Sequence, residues 1–457
     1  METVSQRWAD FAIDLRYEDI PKEALKEAKR FLLDSIGCAF SAIGIESVEA
    51  INNYVKDLSS KHQSTVIGYG YKTDMPFAAL MNSLLIRSLD CNDIYWEQDP
   101  SHPSDIIPAV ISAGEFAKRS GRDILVGIVI AYELEMRMCN AAFPGIREVG
   151  WHHAALTQFV SPVAAGKMLG LSKDKIVSAI GINGSSHFTL GGVVAGNITN
   201  MKNAADPFAV ESGVRAALMA NKGFSGPKEV FEGKEGLFEV ISNVRWNKEA
   251  LIEGLGENFL ITRCGYKPFP TEALTHQPIT ATLEIMEENN IDPKDVQEVL
   301  VETTTRGADI LSDPSKYKPY TKETADHSLP YCIATAIAKG RVSHADFEEE
   351  ALKDEFVWSL LDKIKVIANP EIDALFPKIK RAIVTIKTSK DTYTKQEDFA
   401  KGQPERPLSD SELNAKFKYN AGKYLTDTAM DRIIELTYDL DKIEDIEKYM
   451  EVLKCDI

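Results

Sequence analysis

DVQEVLVETTT, residues 295–305, alternates β-branched and polar side chains and reads as a β-strand. Residues 363–367 and 381–388 have the same character, and Ser389-Lys390-Asp391 makes a turn into residues 392–395. Helical stretches at 275–290 and 329–339 lie between them, so this part of the chain is expected to be an α+β module. Before Cys264 the periodicity is helical. Pro21 opens a run with Ala24, Leu25, Ala28, Phe31, Leu32 and Ile36 at helical spacing. Asp74 is the expected N-cap of a helix through Leu84, and Ser104 or Asp105 that of the next, which runs to Gly121. Asp123 opens ILVGIVIAYELEMRM, apolar almost throughout until Glu133 and so expected to be central and buried. Helices are also expected at 157–169, after Ser172, and over 204–222. The polar stretch KGQPERPLSDSE, 401–412, then leads back into helix. The expected organisation is a discontinuous helical domain, residues 1–264 and 399–457, with an α+β domain, residues 265–398, inserted into it.

The 457 residues carry 52 Lys and Arg against 69 Asp and Glu, a net charge of −17. Such an acidic chain repels phosphates, so no nucleic acid is expected as a partner. No run approaches the roughly 18 apolar residues that a membrane span requires, and no membrane is expected. The opening METVSQRWADFAIDLRYEDIPKEALKE has no basic segment followed by an apolar core, so the expected location is cytoplasmic. Cys38, Cys91, Cys139, Cys264, Cys332 and Cys455 are scattered with no CxxC, and the histidines include no HExxH. No Gly-rich phosphate loop is present. No metal and no cofactor are therefore expected.

Polar and titratable residues interrupt the apolar pattern in several places. The run from Leu89 to Asp105 holds Asp90, Asp93, an aromatic pair and His102 between two helices. It is either a set of catalytic groups or a polar surface loop with capping residues. Lys202 falls next to a helix start, where it can meet an anion or stay solvated, and His187 lies upstream in GSSHFT. Lys267, in GYKPFP, is held by Pro268 and Pro270, with His276 following. Ala325-Asp326-His327-Ser328-Leu329-Pro330-Tyr331 is either an oriented imidazole or a helix cap.

The Leu89–Asp93 run, His102-Pro103-Ser104-Asp105, Lys267 to Pro270 and Ala325 to Tyr331 occur in the order and at about the spacing of the MmgE/PrpD family. RFLLDSIGCAF (30–40) and GKMLGLSKDKIVSAIGINGSSH (166–187) extend the resemblance over nearly the whole chain. The family includes 2-methylcitrate dehydratase, cis-aconitate decarboxylase and an epimerase of iminodisuccinate. The resemblance implies a mostly α fold with an inserted α+β lid and a homodimer. It implies a metal-independent lyase for a small di- or tricarboxylate, first of all dehydration of 2-methylcitrate or a close analogue, with decarboxylation or epimerisation as alternatives. By the same resemblance Asp90 and His102 lie at the acid–base centre and Tyr331 approaches from the lid. Lys202 and Lys267 hold carboxylates, and Asp93, His187, His276 and His327 are further candidates for substrate binding. Ile94 stands where the family often has Thr, and Asp206-Pro207 also departs from its pattern. Two other readings remain: a catalytically silent binding or scaffold relative, and a hydrolase using Ser328 and His327. The absence of a GxSxG elbow weighs against the latter.

Overall fold

The computed structural model describes residues 2–195 and 198–455. They form two compact units, residues 1–264 with 409–457 and residues 265–408. The first is helical and the second is α+β. No single helix among the described residues is long and apolar enough to cross a membrane.

The first unit includes the helices α1 (Lys22–Ser41), α2 (Met75–Arg87), α3 (Ile107–Phe116), α4 (Gly121–Ala141), α5 (Ala154–Met168), α6 (Lys173–Gly184) and α7 (Met201–Asn221). Every residue of α4 from Ile124 to Cys139 is buried, as a helix apolar on all sides requires. Its cap is Ser120, one turn before the expected start, and Asp123 completes the capping box from the third helical position. Other helix starts also differ from the expected ones. Asp74 occupies the N-cap of α2, but its carboxylate accepts from the amides of Ser60 (2.8 Å) and Lys61 (3.1 Å). Ser104 and Asp105 do not cap α3; they belong to a 3₁₀ turn, Pro103–Ile106, that precedes it. Lys202 lies inside the first turn of α7, not before it.

The α5–α7 contact is built from small residues. Ala154, Ala205 and Ala209 form a buried cluster, and Ala205, Ala209, Gly213 and Ala217 lie one turn apart along α7. A Cβ on Gly213 would stand 2.0 Å from Ser161 Oγ, so glycine is what lets the two backbones approach. This approach brings residues at the start of α5 against the first turns of α7.

In the second unit, β1 (Val296–Thr303), β2 (Ile364–Ala368), β3 (Ala382–Thr388) and β4 (Thr392–Glu397) form one sheet in the order β4-β3-β1-β2. Only β1 and β2 are parallel, with Val301 opposite Val366; the other pairs are antiparallel. Helices α8 (His276–Glu288) and α9 (Leu329–Lys339) pack on this sheet. Ser328 Oγ caps α9 by accepting from the Tyr331 amide at 3.0 Å. Residues 399–408 stay with this unit and do not join the helical one. The Tyr266 amide donates to Gly402 O (2.8 Å), and Arg406 pairs with Glu397 (2.7 Å) and with Glu284.

Candidate functional site

Where α2 ends, Arg87 and the following turn place several charged groups out of water. Asp90 adopts a left-handed φ of 52°, a conformation that Asp tolerates better than most residues. Its carboxylate is ion-paired with Arg87 and lies 3.3 Å from Lys202 Nζ on α7. Arg87 Nε is also 3.6 Å from Asp105 Oδ2. Burial works against the guanidinium charge, but Asp90, Asp105 and Asp206 outweigh it and raise the Arg87 pKa. Asp105 is pushed well above the usual carboxylate range by burial and by the charge of Asp206. Asn92 Nδ2 donates to Asp105 Oδ1 and Ser104 Oγ, both at 2.9 Å.

Asp93 accepts from Ser104 Oγ (2.6 Å) and from the Ser104 amide (3.1 Å), and burial raises its pKa. Its main-chain carbonyl receives His102 Nδ1 at 2.6 Å. A carbonyl only accepts, so His102 Nδ1 carries the hydrogen and its lone pair is on Nε2. A short two-stranded pairing, Tyr95–Trp96 with Pro100–Ser101, brings the chain back to this point. His102 is itself buried, with its ring centroid 5.4 Å from that of His153.

The α5–α7 contact supplies the next layer. His153 Nε2 lies 3.1 Å from Asp206 Oδ2, and Thr157 Oγ1 bridges Asp206 Oδ1 (3.1 Å) and Glu135 Oε1 (2.9 Å). Ser101 Oγ donates to the same Glu135 oxygen at 2.5 Å. A hydroxyl has one hydrogen, so Thr157 cannot donate to both carboxyl groups, and one of them must hold a proton. Glu135 is that one, because burial pushes its pKa up to about 8. Burial opposes ionisation of Asp206 too, but its interactions with His153, including a hydrogen bond, and with His152 and the Arg87 guanidinium hold its pKa well below the usual range. Burial lowers the pKa of His153, with Asp206 pulling the other way, so a neutral ring donates to a carboxylate.

His152, His153 and Asp206 are the one His/Cys/Asp/Glu group among the described residues with cation-like spacing, their nearest donor atoms all within 4.8 Å. The donor chemistry does not fit a metal. His152 Nδ1 accepts from the Ala154 amide (3.2 Å), which puts its proton on Nε2, and His153 Nε2 gives its hydrogen to Asp206. The three residues form hydrogen bonds, not a ligand set.

The structure brings Asp90, Asp93, His102 and Lys202 together. His187 instead lines an apolar groove of about 1060 Å³ with Arg215 and Glu211. In the second unit, Lys267 is 2% exposed and donates to the Thr271 carbonyl at 3.3 Å, which His276 Nε2 also meets at 3.2 Å. His327 Nδ1 lies 2.5 Å from Asp326 Oδ1, and Lys322 pairs with that carboxylate at 2.9 Å. Tyr331 lies in the core of that unit: it is 1% exposed and its hydroxyl donates to the Asp346 carbonyl at 2.9 Å. Arg87, Glu135, His153 and Thr157 were not among the residues expected from the sequence; Asp105 entered there only as a loop and capping residue, and Asp206 only as a departure from the family pattern. The readable signal for them was a run of carboxylates and an arginine in otherwise apolar helices.

Comparison with known proteins bears on this arrangement. The MmgE/PrpD N-terminal domain matches residues 6–249, and the MmgE/PrpD C-terminal domain matches residues 269–441. A cis-aconitate decarboxylase-like protein of Aspergillus oryzae is 26% identical, over 99% of this chain and 98% of that protein. The cis-aconitate decarboxylase of Mus musculus is 25% identical, over 99% of this chain and 94% of its own length. The 2-methylcitrate dehydratase of Salmonella typhi is 25% identical, over 96% of this chain and 95% of its own length.

Proposed function

Because the chain belongs to the MmgE/PrpD family, we propose that it is a lyase for a small di- or tricarboxylate that removes a proton next to a carboxylate. The preferred reaction is dehydration of 2-methylcitrate or a close analogue to the alkene. The observation that carries this reading is His102. Its Nδ1–H is held on the Asp93 carbonyl, so Nε2 is the ring nitrogen that accepts, in a site that also holds Arg87 and Lys202. A base of near-neutral pKa suits proton abstraction, and cations stabilise the charge that develops on a carboxylate. Asp90 sets the direction of both cations, and Lys202 and Lys267 are the carboxylate-binding lysines. Decarboxylation of a cis-aconitate-type acid is the second reading, supported by decarboxylase relatives at the same identity as the dehydratases. Offering 2-methylcitrate, citrate and cis-aconitate while following alkene absorbance and released carbon dioxide separates the two. Turnover of none of them refutes the lyase reading.

We further propose a homodimer formed through the helical domain. Tyr54, Phe116, Phe188, Leu190 and Met201 line the groove that holds His187, and each is more than a third exposed. Lys61, Arg215 and Lys222 there face Asp74 and Glu211, so this face is not acidic although the chain carries −17. A second acidic copy meets less repulsion there than elsewhere, and a mixed-sign patch can pair with itself about a twofold axis. Sedimentation showing only a 50.7 kDa species at micromolar concentration refutes the dimer.

A further inference from the structure

We propose that His153, oriented by Asp206, is the general acid of this site and His102 its base, so that two histidines divide the proton transfers. The assignment deepens the lyase reading and rests on it. The two rings are neighbours, with centroids 5.4 Å apart and an interplanar angle of 64°. Their partners differ in kind. His102 Nδ1 meets a neutral main-chain carbonyl, whereas His153 Nε2 meets a carboxylate. A carboxylate stabilises an imidazolium far more than a carbonyl does, so the proton that arrives once an anionic substrate is bound goes to His153. His153 Nδ1 has no hydrogen-bond partner among the described residues, which leaves that atom for the exchanged proton.

The groups facing His153 are Asp206 on α7, Arg87 at the end of α2, Arg147 in the turn before α5, and the rings of His152 and His102. Glu135 acts through Thr157. Asp206 favours the imidazolium, while Arg87 and Arg147 oppose it together with burial. A bound polycarboxylate brings further negative charge beside the ring and favours the proton again.

The step then balances. His102 Nε2 takes the carbon-bound proton, and the C–H electron pair becomes the C=C bond. The C–O bond breaks with its electrons going to oxygen, and His153 Nδ1–H protonates that oxygen, so water departs. The enzyme is left with His102 protonated and His153 neutral, and one proton passing from His102 to His153 restores it.

The test is the pH profile of kcat for the wild type, His102→Gln, His153→Gln and Asp206→Asn on whichever polycarboxylate the wild type turns over. The wild type should give a bell, its acid limb set by His102 and its basic limb by His153. His153→Gln keeps an amide donor for Asp206 and should lower kcat by roughly 10²–10⁴-fold with little change in KM, erasing the basic limb. Asp206→Asn should move the basic limb to lower pH, which a purely structural role does not do. ¹⁵N NMR of the folded wild type should show His153 as the Nε2–H tautomer and His102 as Nδ1–H. An unchanged basic limb and a kcat within twofold in His153→Gln overturn the proposal while His102→Gln remains inactive. Full activity in His102→Gln overturns the parent reading as well.

Discussion

Arg87→Met removes the cation around which three aspartates are arranged while keeping much of the side-chain volume. Arg87 is 3% exposed and is paired with Asp90, 3.6 Å from Asp105, and held protonated by those two and Asp206. Removing one partner from a buried charge network costs about 3–5 kcal/mol, because the anions left behind are out of water. At about 2 °C per kcal/mol for a unit of this size, the helical unit should lose roughly 6–10 °C of thermal stability. The pH dependence has a definite sign. Asp206 has a folded-state pKa below its unfolded value, so its stabilisation is present above the unfolded pKa and lost as pH falls through the folded one. Without Arg87 the variant escapes part of the penalty by taking up a proton on folding. Its deficit should then shrink as the solution is acidified. Thermal unfolding followed by circular dichroism at about pH 8 and about pH 6 measures both effects. A loss below about 1 kcal/mol, or the same loss at both pH values, refutes this charge arrangement.

Further outcomes follow from the same geometry. Gly213→Val places a Cβ 2.0 Å from Ser161 Oγ and should cost roughly 1–3 kcal/mol by forcing α5 from α7; unchanged thermal unfolding contradicts the close approach. Lys267→Ala should raise KM for a polycarboxylate, and lower kcat too if its contact strengthens in the transition state, whereas Lys267→Arg keeps the charge and changes the geometry. Steady-state kinetics with an unchanged kcat/KM would refute a carboxylate-binding role for Lys267. Activity should survive full chelation, since His152, His153 and Asp206 are engaged with hydrogen; stoichiometric metal whose removal abolishes turnover refutes this.

The features legible in the sequence are those that local chemistry dictates. The alternation at 295–305 gave β1, and the apolar run after Asp123 gave a helix buried on every side, because periodicity reports directly on which faces avoid water. Ser328 caps its helix as its position foretold. The site was legible only where one segment carries several groups, as with Asp90, Asp93 and His102. Thr157, Glu135 and Asp206 lie on three helices, His153 immediately precedes one of them, and the four meet through tertiary packing. The Ala-Ala-Gly-Ala row of α7 was readable as helix, but which partner it admits was not. Nor does the sequence show that the Tyr331 hydroxyl donates to the carbonyl of Asp346, fifteen residues on. Residues 399–408 read as part of the helical domain because the sequence does not show that Gly402 and Arg406 find their partners, Tyr266 and Glu284, far back in the chain.

The central claim is proton transfer at carbon by His102, and it is read most directly by deuterium incorporation. Wild-type protein and His102→Gln are each incubated with 2-methylcitrate, citrate and cis-aconitate in D₂O, and the carbon next to the carboxylate is followed by ¹H NMR. Wild type should remove the C–H signal next to the carboxylate of 2-methylcitrate or citrate as alkene forms, or place deuterium at that carbon when it adds to cis-aconitate, and His102→Gln should do either roughly 10²–10⁴-fold more slowly with its fold intact. Equal rates in both proteins, or neither change with any of the three acids in the wild type, would contradict the account.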